Sequence, residues 1–164
     1  AGFLIHSCIH RARPDLHAVL HTHTAAGIAV AAQRRGLLNL SQHAMRFHRR
    51  IGYHDYEGVA LDFSEQDRLV RDLGPHNVMI LRNHGLLAWG QTLPQTFAIL
   101  WTLQRACEIQ MATFSMGAAI PVSEEIASRC TRDALQFSPE HGAGQDVFNA
   151  LVRQVDRIDP SYRN

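Results

Sequence analysis

The run Ala18-Val19-Leu20-His21-Thr22-His23 places two imidazoles one residue apart in a segment of strand character. Alternate side chains of an extended chain share a face, so His21 and His23 point the same way and Thr22 the other. Two imidazoles fixed side by side on a strand are a natural pair of ligands for a divalent metal ion. A third candidate stands much further along, where Val78-Met79-Ile80-Leu81-Arg82-Asn83 reads as a buried strand leading to His84-Gly85. Three histidines with a fourth position open form the pattern of a catalytic metal site, whereas a structural site is closed by four protein ligands.

The competing account is plain. With 11 His among 164 residues, a His-x-His pair arises easily by chance, and hydrogen-bonded core histidines would explain it. The apolar residues before the pair and the helical pattern after it exclude an affinity tag.

Metal-assisted chemistry on a carbonyl also needs a group that moves protons. The polar-aromatic run His54-Asp55-Tyr56-Glu57 supplies the right types, and His54, Tyr56 and Glu57 are assigned the catalytic role. A hydrogen-bonded loop would use the same residues. His43 is a further candidate. His6 and His10, one helical turn apart, could pair, with His6 near a site or packed and His10 at the surface. Thr24 and Asn83 could orient the ligating imidazoles, although packing at strand ends accounts for them equally.

The elements that must position these residues follow from periodicity. An apolar stripe of Leu4, Ile5, Cys8, Ile9 and Ala12 predicts a helix over 3–13, which Pro14 ends. The His-x-His strand comes next, then a helix from Ala25 to Arg35 with Thr24 as N-cap and Gly36 closing it. Residues 37–63 read as irregular or short-stranded. Ser64-Glu65-Gln66-Asp67 opens a helix to about Leu73, and Gly74-Pro75-His76-Asn77 turns into a second strand. That strand runs from Val78 through His84 and on to Gly90. A long helix opens at Thr92 with Pro94 in its first turn and reaches about Met116, with Phe97, Leu100, Leu103, Cys107, Met111 and Phe114 as its core or subunit-interface stripe. Two shorter helical patterns over 123–136 and 145–157 complete the chain. Alternating strands and helices give an α/β layered domain.

Composition bounds the rest. The apolar fraction is 46% and the charged fraction 19%, enough for a core, and no low-complexity tract is present. The formal charge is +1 with acids and bases interspersed, and no basic stripe of the kind nucleic acids need is visible. Cys8, Cys107 and Cys130 are an odd number without a recognisable spacing, which fits reduced thiols and a cytoplasmic location. No apolar run is long enough to cross a bilayer. The sequence begins at Ala1-Gly2-Phe3, already inside a patterned segment, so a preceding portion is expected to be missing.

The blocks Ala1-Gly2-Phe3-Leu4-Ile5-His6-Ser7, Ala12-Arg13-Pro14-Asp15, Ala18-Val19-Leu20-His21-Thr22-His23-Thr24 and Leu81-Arg82-Asn83-His84-Gly85-Leu86 resemble the class II aldolase/adducin family, in residues and in spacing. The resemblance covers residues 1–116 and treats 117–164 as a helical tail of the same domain. It implies a three-layer α/β/α fold around a mixed, mostly antiparallel central sheet. It also implies a divalent metal ion, most often zinc, and a homo-oligomer, commonly a tetramer with sites at subunit interfaces. In the sugar-phosphate aldolases of the family, the positions of His21, His23 and His84 bind the metal.

This chain also departs from that pattern. The aldolases carry a catalytic glutamate nineteen residues before the first metal histidine, and here that position is Gly2. Their catalytic tyrosine falls near Gln42-His43, where no tyrosine stands. The loops that hold substrate phosphate belong mainly to the N-terminal portion of the family domain. The expected function is a metal-dependent aldolase or lyase acting on a small hydroxy-carbonyl substrate through a carbanion or enediolate. The alternative is a catalytically inactive adducin-like binding or assembly module.

Overall fold

The chain is described by a computed structural model over residues 2–58, 65–134 and 137–164. A four-stranded sheet forms its centre, built from β1 (Ala18–Thr22), β2 (Gly52–His54), β3 (Val78–Leu81) and β4 (Gly85–Gly90) in the order β1-β4-β3-β2. The β1–β4 and β3–β4 pairs are antiparallel and the β2–β3 pair is parallel, so the sheet is mixed and mostly antiparallel.

Both faces of the sheet are covered, which makes three layers. Val19, Met79, Leu81, Leu87 and Trp89 pack beneath α1 (Gly2–Ala12) and α4 (Glu65–Leu73). Val78, Ile80, Leu86 and Ala88, on the other face, pack beneath α2 (Ala25–Ala31) and α5 (Leu93–Ser115). The alternation along β3 and β4 is the period-two geometry of a strand, and because both faces are buried the sequence reads as continuous apolar runs. Each large aliphatic side chain sealed this way contributes about 1.5–3 kcal/mol. Trp89 is fully buried and donates its indole N–H to the His76 carbonyl at 2.9 Å.

Local signals set most helix ends. Thr24 caps α2 by accepting from the Gly27 N–H, and Thr92 caps α5 by accepting from the Gln95 N–H. Glu65 and Asp67 lie in the first turn of α4, favourable to its dipole, and Gly74 follows it at a φ of 53°. Ser64, expected to open this helix, lies outside the described residues. Helices α6 (Glu124–Arg132) and α7 (Gln145–Ile158) form the tail, where Thr131 donates to the Met45 carbonyl and Phe148 packs on Phe97 of α5.

Three expectations need correction. The second strand does not continue from Val78 to Gly90. It reverses through Arg82, Asn83 and His84 into an antiparallel hairpin, with Asn83 at a φ of 56° and the His84 N–H bonded to the Leu81 carbonyl at 3.1 Å. Asn tolerates that left-handed conformation better than most residues, and this is what the apolar run concealed. Helix α2 ends at Ala31 rather than Arg35. The Asn83 N–H takes the Ala31 carbonyl, the acceptor that the Arg35 N–H would need in a longer helix, while Arg82 Nη1 and the Gly36 N–H take the Gln33 carbonyl. Finally, residues read as irregular contain a short helix, α3 (Gln42–Met45), capped by Ser41. Among the described residues no helix is long and apolar enough to cross a membrane.

Candidate metal centre

The strand pairing brings the three histidines together. His21 stands opposite Leu87 on β4 and shares the sheet face that packs under α1 and α4. His23 follows just beyond the end of β1, and His84 occupies the β3–β4 turn beside it. Gly85 permits the approach: a Cβ there would lie 2.3 Å from the Thr22 carbonyl oxygen and 3.3 Å from His23 Cδ2.

The Nε2 atoms of all three rings converge. Nε2 of His21 lies 2.6 Å from that of His23 and 3.3 Å from that of His84. Ring centroids are 4.5–4.8 Å apart and the rings stand edge to face. His21 Nδ1 lies 2.9 Å from the Leu86 carbonyl oxygen. A carbonyl only accepts, so Nδ1 carries the proton and Nε2 presents its lone pair to the cluster.

Burial, followed by the neighbouring His84, His23 and His6, pushes His21 down to about 4, although its bond to Leu86 opposes the shift. Burial also lowers His84; His23 adds to that effect and Glu65 works against it. Neutral imidazoles with converging lone pairs are the state a divalent ion requires. Among the described residues this trio is the group of three or more His, Cys, Asp or Glu side chains close enough to hold an ion together. The donor set suits zinc and other borderline divalent ions and leaves room for an exogenous ligand.

The three residues assigned to proton transfer sit differently. Tyr56 is 54% exposed, with its ring 6.3 Å from that of His84. Glu57 is gripped by Arg68, whose Nε lies 2.8 Å from Oε1, and those bonds hold its carboxyl below the usual range. His54 is only 3% exposed, and both its ring nitrogens face carboxylates. Its Nδ1 is 2.8 Å from Asp72 Oδ2 and its Nε2 3.4 Å from Glu65 Oε1. Sequence reading missed Glu65 and Asp72. Their spacing on one helix, seven residues or two turns apart, was the available signal. His43 lies 6.4 Å from Trp101 on α5, in contact with that ring instead of the histidine trio. His6 is held below its ordinary value by burial and then by His10. Thr24 links the end of β1 to α5 by donating to Gln104 Oε1 at 2.6 Å. A Cβ at Gly2 would meet nothing within 4 Å.

The comparisons with known proteins agree with this fold. Residues 1–111 match the model of the class II aldolase and adducin N-terminal domain. A Pseudomonas aeruginosa protein provisionally named an aldolase class 2 protein is 46% identical over 166 residues, covering 99% of this chain and 64% of its own length. The crystal structure of an aldolase II superfamily protein from Pseudomonas syringae superposes with a TM-score of 0.93 at 47% identity, over 100% of this chain and 66% of that one. An L-fuculose 1-phosphate aldolase from Glaciozyma antarctica superposes at 0.79 with 26% identity, over 96% of this chain and 60% of that one. The chain thus spans about two thirds of the length of these relatives. With the sheet order, both covered faces and the matched residues in agreement, the chain belongs to the class II aldolase/adducin family.

Proposed function

We propose that this chain carries the metal centre of a metal-dependent carbon–carbon lyase of the aldolase type, acting on a small hydroxy-carbonyl substrate. The observation that supports it most is the convergence of His21, His23 and His84 Nε2, with the His21 tautomer fixed by Leu86. A divalent ion held there, with zinc suited to the three imidazoles, would supply Lewis-acid polarisation of a substrate carbonyl or hydroxyl. The chain's own residues do the remaining work. Leu86 orients His21, Gly85 lets β1 close on the hairpin, and Tyr56 stands beside His84. The similarity to an L-fuculose 1-phosphate aldolase favours a hydroxy-aldehyde or hydroxy-ketone product pair. The family resemblance also favours a homo-oligomer.

A second reading, an adducin-like assembly module without catalysis, is favoured by one observation. Gly2 offers no carboxylate where the aldolases of the family use one.

Elemental analysis of untagged protein of natural length separates the two. About one divalent ion per chain supports the lyase reading and opens a screen of hydroxy-aldehydes and hydroxy-ketones. Absence of metal after reconstitution would sink it in favour of the assembly module.

A further inference from the structure

The buried imidazole of His54 has a proton-counting problem. Asp72 Oδ2 stands 2.8 Å from Nδ1 and Glu65 Oε1 stands 3.4 Å from Nε2. An ionised carboxylate only accepts, and a neutral ring has one N–H. Both contacts can be hydrogen bonds only if the cluster holds one further proton, on the ring or on one of the two carboxylates. Without it, a lone pair would face a carboxylate in a place where His54 is 3% and Glu65 8% exposed, an unfavourable contact at low dielectric.

The cluster has two ends. Asp72 is partly exposed, with its other oxygen 3.2 Å from Arg71 Nε, so that end reaches solvent. Glu65 borders a recess of about 10 Å³ whose walls include Tyr56, Glu57 and His84. That is about the space of a single water. His54 is paired with Leu81 on the same sheet face as His21, which explains why the cluster and the trio share this side of the sheet. Of the three carboxylates at the recess, Asp55 is exposed and Glu57 is held by Arg68, whereas Glu65 is buried and bonded to a proton carrier, His54.

We propose that Asp72, His54 and Glu65 form a proton relay that opens through this one-water recess onto the His84 side of the trio. The proposal rests on the lyase reading above. It names the route by which a proton leaves or reaches the substrate. A proton taken from substrate passes through the water to Glu65 as the cluster releases one from His54 Nδ1 through Asp72 to solvent. The reverse passage returns it, so no proton is gained or lost over a cycle.

Two readouts test this. The first is nitrogen and carbon NMR of the His54 ring and the Glu65 and Asp72 carboxyls in unmodified protein near neutral pH. The expected result is a doubly protonated ring or one protonated carboxyl; a neutral ring between two ionised carboxylates overturns the relay. The second is exchange of the carbon-bound protons of dihydroxyacetone with heavy water by the metal-loaded protein. Glu65→Gln, close in shape, is expected to slow exchange by about 100-fold or more at unchanged metal content. Asp72→Asn is expected to slow it less and to shift its pH profile. An unchanged rate in Glu65→Gln overturns the relay. If the parent protein takes up no metal or exchanges nothing, the lyase reading fails instead, and the NMR result alone decides whether the triad holds its proton.

Discussion

The Leu86 carbonyl accepts the Nδ1 proton of His21 at 2.9 Å, and this one bond determines which ring nitrogen faces His23 and His84. It joins the two strands of the β1–β4 pair through a side chain, so the ligand orientation is built into the sheet. His21→Ala should therefore abolish metal binding and leave the fold in place, because the residue lies at the half-buried end of β1 beyond the core. Metal content and the far-ultraviolet circular dichroism spectrum would be measured together. Full metal content in the variant would show that the site is elsewhere.

The depressed pKa of His21 gives a pH dependence with a definite sign. Held at about 4 in the fold against 6.5 in a free chain, the ring binds its proton less readily when folded. Between those values the unfolded chain carries more protons, so metal-free protein loses stability as pH falls through that window and none of this contribution changes above it. His84 is shifted in the same direction. Bound metal steepens the dependence, since protons compete for the ligand nitrogens. Urea midpoints of metal-free protein at about pH 7 and about pH 5 should show the decline, and His21→Ala should lessen it. Equal slopes in the two proteins would argue against this origin.

Gly85 is expected to tolerate no side chain. A Cβ placed 2.3 Å from the Thr22 carbonyl oxygen must push β1 away from β4 at the point where His23 leaves the strand. Gly85→Ala should cost about 1–3 kcal/mol, as overpacking in a tight interior does. Metal affinity should fall as well, because His23 is displaced. Thermal melts with and without added zinc would separate the effects: a destabilised variant that still gains full stabilisation from zinc would disconnect Gly85 from the centre.

Much of this was legible in the residues, for physical reasons that differ by element. The caps at Thr24 and Thr92 and the apolar stripes of α1 and α5 were readable because helix ends and helix faces are local. The convergence of His21, His23 and His84 was readable because His-x-His on a strand fixes two side chains to one face, and the buried apolar run of Val78 to Leu81 leads to the third. The hairpin at Asn83 was hidden inside a run that stays apolar on both sides of the reversal, as buried strands do. The end of α2 depends on Asn83 claiming the Ala31 carbonyl, a long-range contact that no window of residues 25–36 contains. Glu65 and Asp72 were passed over although their seven-residue spacing placed them on one helix face. Each looks like an ordinary helix-surface acid until β2 is laid against α4 and His54 meets both.

Thr24 offers a last test of how the centre is held from behind. Its hydroxyl accepts from the Gly27 N–H at 3.2 Å and donates to Gln104 Oε1 at 2.6 Å, so one side chain both starts α2 and ties the residue after His23 to α5. Gln104 in turn donates to Glu108 Oε1 at 2.8 Å, which fixes its amide orientation. Thr24→Ala should lose about 1 kcal/mol from the cap alone. It should also weaken metal binding, since His23 is then held by one fewer neighbour on its chain. Thr24→Ser keeps both hydrogen bonds and should restore stability and affinity together. Recovery of stability without recovery of affinity would show that the cap matters and the link to Gln104 does not.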